Sequence, residues 1–131
     1  MVGIVIVSHS PLIAAGVKQL ASEMAGEQLR IAAAGGVDDH TIGTSVERIL
    51  EALREADGPD GVLILVDLGS AVLSAQAAIE LLNEQQQAHL ILSNAPLVEG
   101  AIVAAVEASI GRPLMEVNRA AEQVATLNKL G

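Results

Sequence analysis

Three histidines, His9, His40 and His89, carry the side chains most suited to proton or phosphoryl chemistry near neutral pH in a chain without cysteine. His9 stands in Ser8-His9-Ser10, directly after the β-branched run Val2-Gly3-Ile4-Val5-Ile6-Val7. Asp67 opens Asp67-Leu68-Gly69-Ser70, directly after a second apolar run, Val62 to Val66. An imidazole nitrogen attacks phosphorus only when the other nitrogen holds the proton. A carboxylate that accepts that proton fixes the tautomer and supports the positive charge of a phosphorylated ring. Asp67 is the candidate for that role. The transferred phosphate also needs donors. Helix starts after His9 and around Gly69-Ser70, with the Ser10 and Ser70 hydroxyls, are the candidates to supply them.

Each of these residues also has a plainer reading. His9 can be a loop histidine, Asp67 a turn carboxylate, Ser10 and Ser70 ordinary helix caps, and Gly69 a turn glycine. His40, in an acidic loop, and His89, at a strand start, read as surface or strand-edge residues. Asp38 and Asp39 read as solvated turn acids. No spacing matches a zinc or calcium site. Both the phosphate-loop and the dinucleotide glycine patterns are absent. No metal and no cofactor is expected.

The elements that must position these residues follow from apolar runs and their punctuation. Strands are expected at Met1–Val7, Leu29–Ala33, Val62–Val66 and His89–Ser93. Between them fall helices from Pro11 toward Gly26, capped by Ser10, and from about Thr44 or Ser45 through Leu53. A third runs from about Ala71 to Leu82, capped by Ser70, and two more follow, Leu97 to about Ile110 and Leu114 to Leu127. Alternation of strand and helix implies an α/β fold with a single open parallel four-stranded sheet, order 2-1-3-4, and helices on both faces. In that order the chain reverses direction between strands 1 and 3, where ligand chemistry collects at the carboxyl ends of the strands. His9 and Asp67 are then brought together from 58 positions apart.

Composition narrows the function classes. The 131 residues fit one domain, spanning 1-131, and 51% are hydrophobic, enough for a core. None is Phe, Trp or Tyr, so the core must be aliphatic and no such ring is present to stack on a base. The net charge of −9 disfavours nucleic acid and anionic membrane surfaces as partners. The first apolar run is too short and wrongly flanked for a signal peptide or span, so a cytoplasmic protein is expected.

Three segments together resemble a known family: Val5-Ile6-Val7-Ser8-His9-Ser10, then Ala34-Gly35-Gly36 with Ile42-Gly43-Thr44-Ser45, then Leu65-Val66-Asp67-Leu68-Gly69-Ser70-Ala71. In order and spacing they resemble the DhaM family, phosphotransferase subunits of phosphoenolpyruvate-dependent dihydroxyacetone kinases. The DhaM domain is similar to the mannose-type Enzyme IIA of the sugar phosphotransferase system. The resemblance implies that His9 is phosphorylated by HPr, itself charged by Enzyme I, and that Asp67 orients the ring. It further implies that the phosphate passes to ADP held by the DhaL subunit, which with DhaK phosphorylates dihydroxyacetone. Some members of the family carry fused HPr and Enzyme I-like domains, and this chain would depend on a separate HPr.

Mannose-type Enzyme IIA dimerises through an exchanged C-terminal strand, but Met115 to Leu127 here reads as helix. The apolar segment Ala101-Ile102-Val103-Ala104-Ala105-Val106 instead suggests a homodimer packed through helices. Two other functions stay open on the residues alone. One is a receiver-like signalling domain phosphorylated on Asp67, though it would need an acidic pair after strand 1. The other is a regulatory module that binds a metal or ligand at His9.

Overall fold

The computed structural model describes residues 1–131. Val and Ile dominate the run after Gly3, and their branched side chains suit a pleated strand buried on both faces. This strand, β1 (Gly3–Ser8), is completely buried and lies centrally in a four-stranded parallel sheet of order β2-β1-β3-β4. Its neighbours are β2 (Ile31–Gly35) and β3 (Val62–Val66), and the short β4 (Leu90–Leu92) forms the edge beyond β3. The expected order is therefore the observed one.

Alternation along the two central strands divides the interior. Ile4, Ile6, Leu63 and Leu65 face α1 (Pro11–Ala25), α5 (Leu97–Ser109) and α6 (Leu114–Gln123). Val5, Val7, Ile64 and Val66 face α2 (Val46–Ala56) and α3 (Ser70–Glu80). The helices answer these large aliphatics mainly with alanine: Ala14 and Ala21, then Ala101, Ala104, Ala105 and Ala108, on one face, and Ala52, Ala56, Ala71, Ala75 and Ala78 on the other. Small residues let helix backbones approach the sheet closely, so a ring-free core still packs. Each Val, Ile or Leu fully removed from water contributes about 1.5–3 kcal/mol.

Several boundaries differ from the sequence reading. β2 is displaced by two residues, Ile31–Gly35 in place of Leu29–Ala33, because pairing with β1 runs from Ile4↔Ile31 to Ser8↔Gly35. Pairing there outweighs the weak strand preference of three alanines and the turn preference of glycine. β4 shrinks to three residues, although His89 O still accepts from Val62 N–H and Ser93 N–H still donates to Ile64 O. A one-turn helix, α4 (Glu84–Gln87), was not expected. It carries a capping box between Asn83 and Gln86. The last helix ends at Gln123, and a 3-10 turn, Val124–Thr126, carries the chain toward Leu127.

The apolar character of α5 is used largely within the chain. Gly100, Ala101, Ala104, Ala105 and Ala108 are buried against α1, α6, β1 and β3. No helix is long and apolar enough to cross a membrane.

Candidate phosphoryl-transfer site

Strand order places the ends of β1 and β3 side by side, and the residues that leave those ends form one hydrogen-bonded cluster. Asp67 Oδ2 accepts from the Ser8 hydroxyl at 2.8 Å and from the His9 backbone N–H at 2.9 Å. Asp67 Oδ1 accepts from Leu68 N–H at 2.8 Å and lies 2.9 Å from His9 Nδ1. An ionised carboxylate only accepts, so Nδ1 carries the hydrogen and Nε2 presents a lone pair. Ser70 Oγ lies 2.5 Å from Nε2 and is the donor to it. The side chains of His9 and Asp67 keep 28% and 21% of their exposure, so the pair is sheltered yet reachable.

Burial is the strongest single influence on Asp67 and acts to raise its pKa. The donors on its two oxygens, from His9 N–H, Ser8, Leu68 N–H and the His9 ring, together outweigh it and hold the carboxyl below its ordinary value. Asp67 is therefore an anion throughout the neutral range.

Ser10, Gly69 and Ser70 all lie around His9 but play different local parts. Ser10 is the N-cap of α1, as expected: its Oγ accepts from Ile13 N–H at 3.2 Å, which leaves its own proton free to donate. Ser70 is not the cap of α3. It is the first helical residue, and Gly69, at φ 50°, takes the cap position with no side chain to cap the helix. Left-handed backbone at that point suits glycine. The start of α3 therefore points its partial positive charge toward the Nε2 side of the ring without an internal side-chain acceptor.

Ser8 is a member of the cluster that sequence reasoning did not single out. Fully buried, it donates to Asp67 and accepts from Ser10 N–H at 3.1 Å. Its polar side chain at the end of an otherwise apolar strand was the available signal. Gly43 was also missed: its N–H donates to the His9 carbonyl at 2.9 Å. His40 and His89 lie apart from the cluster; His40 N–H donates to Asp38 Oδ1 in the β2–α2 loop, and His89 stands at the opposite end of the sheet beside Gly61. No group of three or more His, Asp or Glu is gathered as a metal site. A cleft of about 350 Å3 adjoins Asp67, lined also by Gln76, Ser93, Asn94 and Glu122 but not by His9.

Comparison with known proteins places the chain in a family. The EIIA-man family, described as the PTS system fructose IIA component, matches residues 3–118. The phosphoryl donor subunit DhaM of the phosphoenolpyruvate-dependent dihydroxyacetone kinase of Providencia stuartii is 42% identical over 94% of the chain, which spans about a quarter (26%) of that relative's length. The phosphotransferase subunit DhaM of Lactococcus lactis is 37% identical over 93% of the chain and 94% of its own length. Among solved structures, the crystal structure of the unknown-function protein EF1359 superposes with a TM-score of 0.83 at 37% identity, covering 94% of this chain and 95% of that one. With the family matched across most of its length and a full-length relative above a third identical, the chain belongs to the EIIA-man family of phosphotransferase-system domains and, within it, to the DhaM subunits.

Proposed function

We propose that the chain is the phosphohistidine carrier of a phosphoenolpyruvate-dependent dihydroxyacetone kinase. In this reading His9 receives a phosphoryl group from phospho-HPr and delivers it to ADP bound on DhaL. DhaL, together with DhaK, then phosphorylates dihydroxyacetone in the cytoplasm. The observation that carries the reading is the His9 ring held with Nδ1 on Asp67 and Nε2 turned toward Ser70 and the start of α3. The names of the DhaM relatives supply the system in which such a carrier works.

Transfer then runs as follows. The Nε2 lone pair attacks phosphorus while the phosphorus–nitrogen bond of the donor histidine breaks. No proton needs to move: the hydrogen on Nδ1 stays, and the Asp67 carboxylate faces the positive charge that develops on the ring. The phosphate oxygens meet the Ser70 hydroxyl, the Gly69-Ser70 turn, the start of α3 and the free proton of Ser10. In delivery the P–Nε2 bond breaks as a bond to a terminal phosphate oxygen of ADP forms. Catalysis here is mainly positioning and electrostatic support.

The receiver-like alternative asks Asp67 to be the nucleophile. Both its oxygens already accept protein donors, and Ser8-His9-Ser10 follows β1 where an acidic pair would be needed. A metal-binding module at His9 has one neighbouring carboxylate to work with, Asp67, and that is committed to Nδ1. Neither alternative gains support from the geometry.

A homodimer remains part of the proposal. α1 and α5 pack side by side, and their outer surface exposes Ile13, Leu20, Met24 and Val98 beside half-buried Ile102 and Val106. Sedimentation at micromolar concentration would return a monomer if this face stays uncovered.

The test of the central reading is incubation with phosphoenolpyruvate, Enzyme I and HPr. One acid-labile phosphate should be added, and none to His9→Ala. Undiminished labelling of that variant would sink the assignment.

A further inference from the structure

The loop between β2 and α2 links two parts of the site that the strands do not. Arg48 holds its beginning, donating from Nη2 to Gly35 O at 3.0 Å and to Asp39 Oδ1 at 3.2 Å. The loop folds back through Val37 N–H to Thr41 O at 3.0 Å. At its far end Gly43 donates to the His9 carbonyl. The next residue, Thr44, places Oγ1 2.7 Å from Ser74 Oγ in a half-buried contact across 30 positions of sequence. Ser74 follows Ser70 by four residues on α3, so the two hydroxyls share one face of that helix, a turn apart. The result is a closed circuit: the His9 backbone, Gly43, Thr44, Ser74, Ser70 and the His9 Nε2.

We infer that the Thr44–Ser74 hydroxyl pair positions Ser70 against His9 Nε2, resting on the reading that this nitrogen is the phosphoacceptor. Ser70 needs such a tether. It is exposed, it begins its helix, and no side chain caps that helix; the buried Ala71 and the Val72 N–H to Gly69 O bond hold the backbone there but do not fix the Ser70 hydroxyl against the ring. The Oγ–Nε2 contact is short, and a slip of α3 by about 1 Å along its axis would carry it out of strong hydrogen-bond range. Thr44–Ser74 opposes such a slip and refers the helix to the same loop that fixes the His9 peptide. Neither Thr44 nor Ser74 touches the path of the phosphate, so both are positioning residues.

A hydroxyl pair that merely fastens α2 to α3 would also lower stability when removed, so the test must read the ring. Thr44→Val keeps the shape of the side chain and deletes its hydroxyl; Ser74→Ala removes the same bond from the helix side, should the first variant fold poorly. The expected result has four parts. The 15N resonance of Nε2 in the unphosphorylated protein moves as it does in Ser70→Ala. Labelling by phospho-HPr slows about three- to tenfold, the size expected for one hydrogen bond. Adding Thr44→Val to Ser70→Ala slows it no further. Thr44→Ser, which keeps the hydroxyl, restores the rate.

An unmoved Nε2 resonance, or an equal slowing in the Ser70→Ala background, would overturn the inference and leave a stabilising fastener. The resonance requires no transfer, so it still judges the coupling if the phosphoacceptor assignment fails by continued labelling of His9→Ala.

Discussion

The two nitrogens of the His9 ring face regions built in different ways. On the Nδ1 side the parts are strand ends: Ser8 is fully buried, Asp67 accepts from three donors besides the ring, and the backbones of β1 and β3 are bonded to each other up to that point. On the Nε2 side the parts are a left-handed glycine and an exposed serine at an uncapped helix start, with one bond to the ring. The first region cannot change without disturbing the sheet. The second can exchange its partner at little cost, which is what the proposed alternation of this nitrogen between bare and phosphorylated requires. Rigid support and reversible chemistry are thus divided between the two edges of one imidazole.

The division is open to attack from its rigid side first. In Asp67→Asn the amide can keep its oxygen toward Ser8 and His9 N–H only by turning its NH2 toward Nδ1. That forces the hydrogen onto Nε2 and removes the nucleophilic lone pair. Labelling by phospho-HPr should fall about a hundredfold or more, and 15N spectra should show the reversed tautomer. A variant that retained Nδ1–H at near-normal rate would end the claim that Asp67 sets the ring.

A smaller effect belongs to the Nε2 side. Ser70→Ala should slow transfer about three- to tenfold while Nδ1 stays protonated and the unfolding midpoint barely shifts. A loss as large as that of Asp67→Asn would mean that the two sides are not divided as described.

The smallest effect is on stability in acid. The carboxyl of Asp67 is held below its ordinary value in the folded chain, so it is a group whose folded pKa is depressed. Its contribution is fully present above the unfolded value, about 3.9, and is lost as pH falls through the lower folded value. Ser8→Ala removes one of the donors responsible. Acid unfolding of that variant should therefore begin at a higher pH than in the parent, and coincident acid limbs would show that the Ser8 bond does not hold the carboxyl down.

The sheet order and the meeting of His9 with Asp67 were legible in the sequence because both rest on patterns that local residues carry: four apolar runs, alternating helices and one reversal of direction. The cap of Ser10 was legible for the same reason. What escaped depended on partners distant in sequence. β2 slid by two residues because Ser8 pairs with Gly35, a residue that looks like a turn. Ser70 looked like a cap, but a glycine at φ 50° took that place and freed its hydroxyl for the ring. Thr44 and Ser74 became neighbours only because α2 and α3 share one face of the sheet.

The aliphatic strands and alanine-lined helices have one further consequence, and it is optical. With no Phe, Tyr or Trp, the chain has no fluorophore and almost no absorption near 280 nm. In a mixture of this chain with a protein partner, any tryptophan or tyrosine signal comes from the partner alone. Docking and release can then be followed without a label, the chain itself contributing no aromatic emission against which the other protein must be resolved.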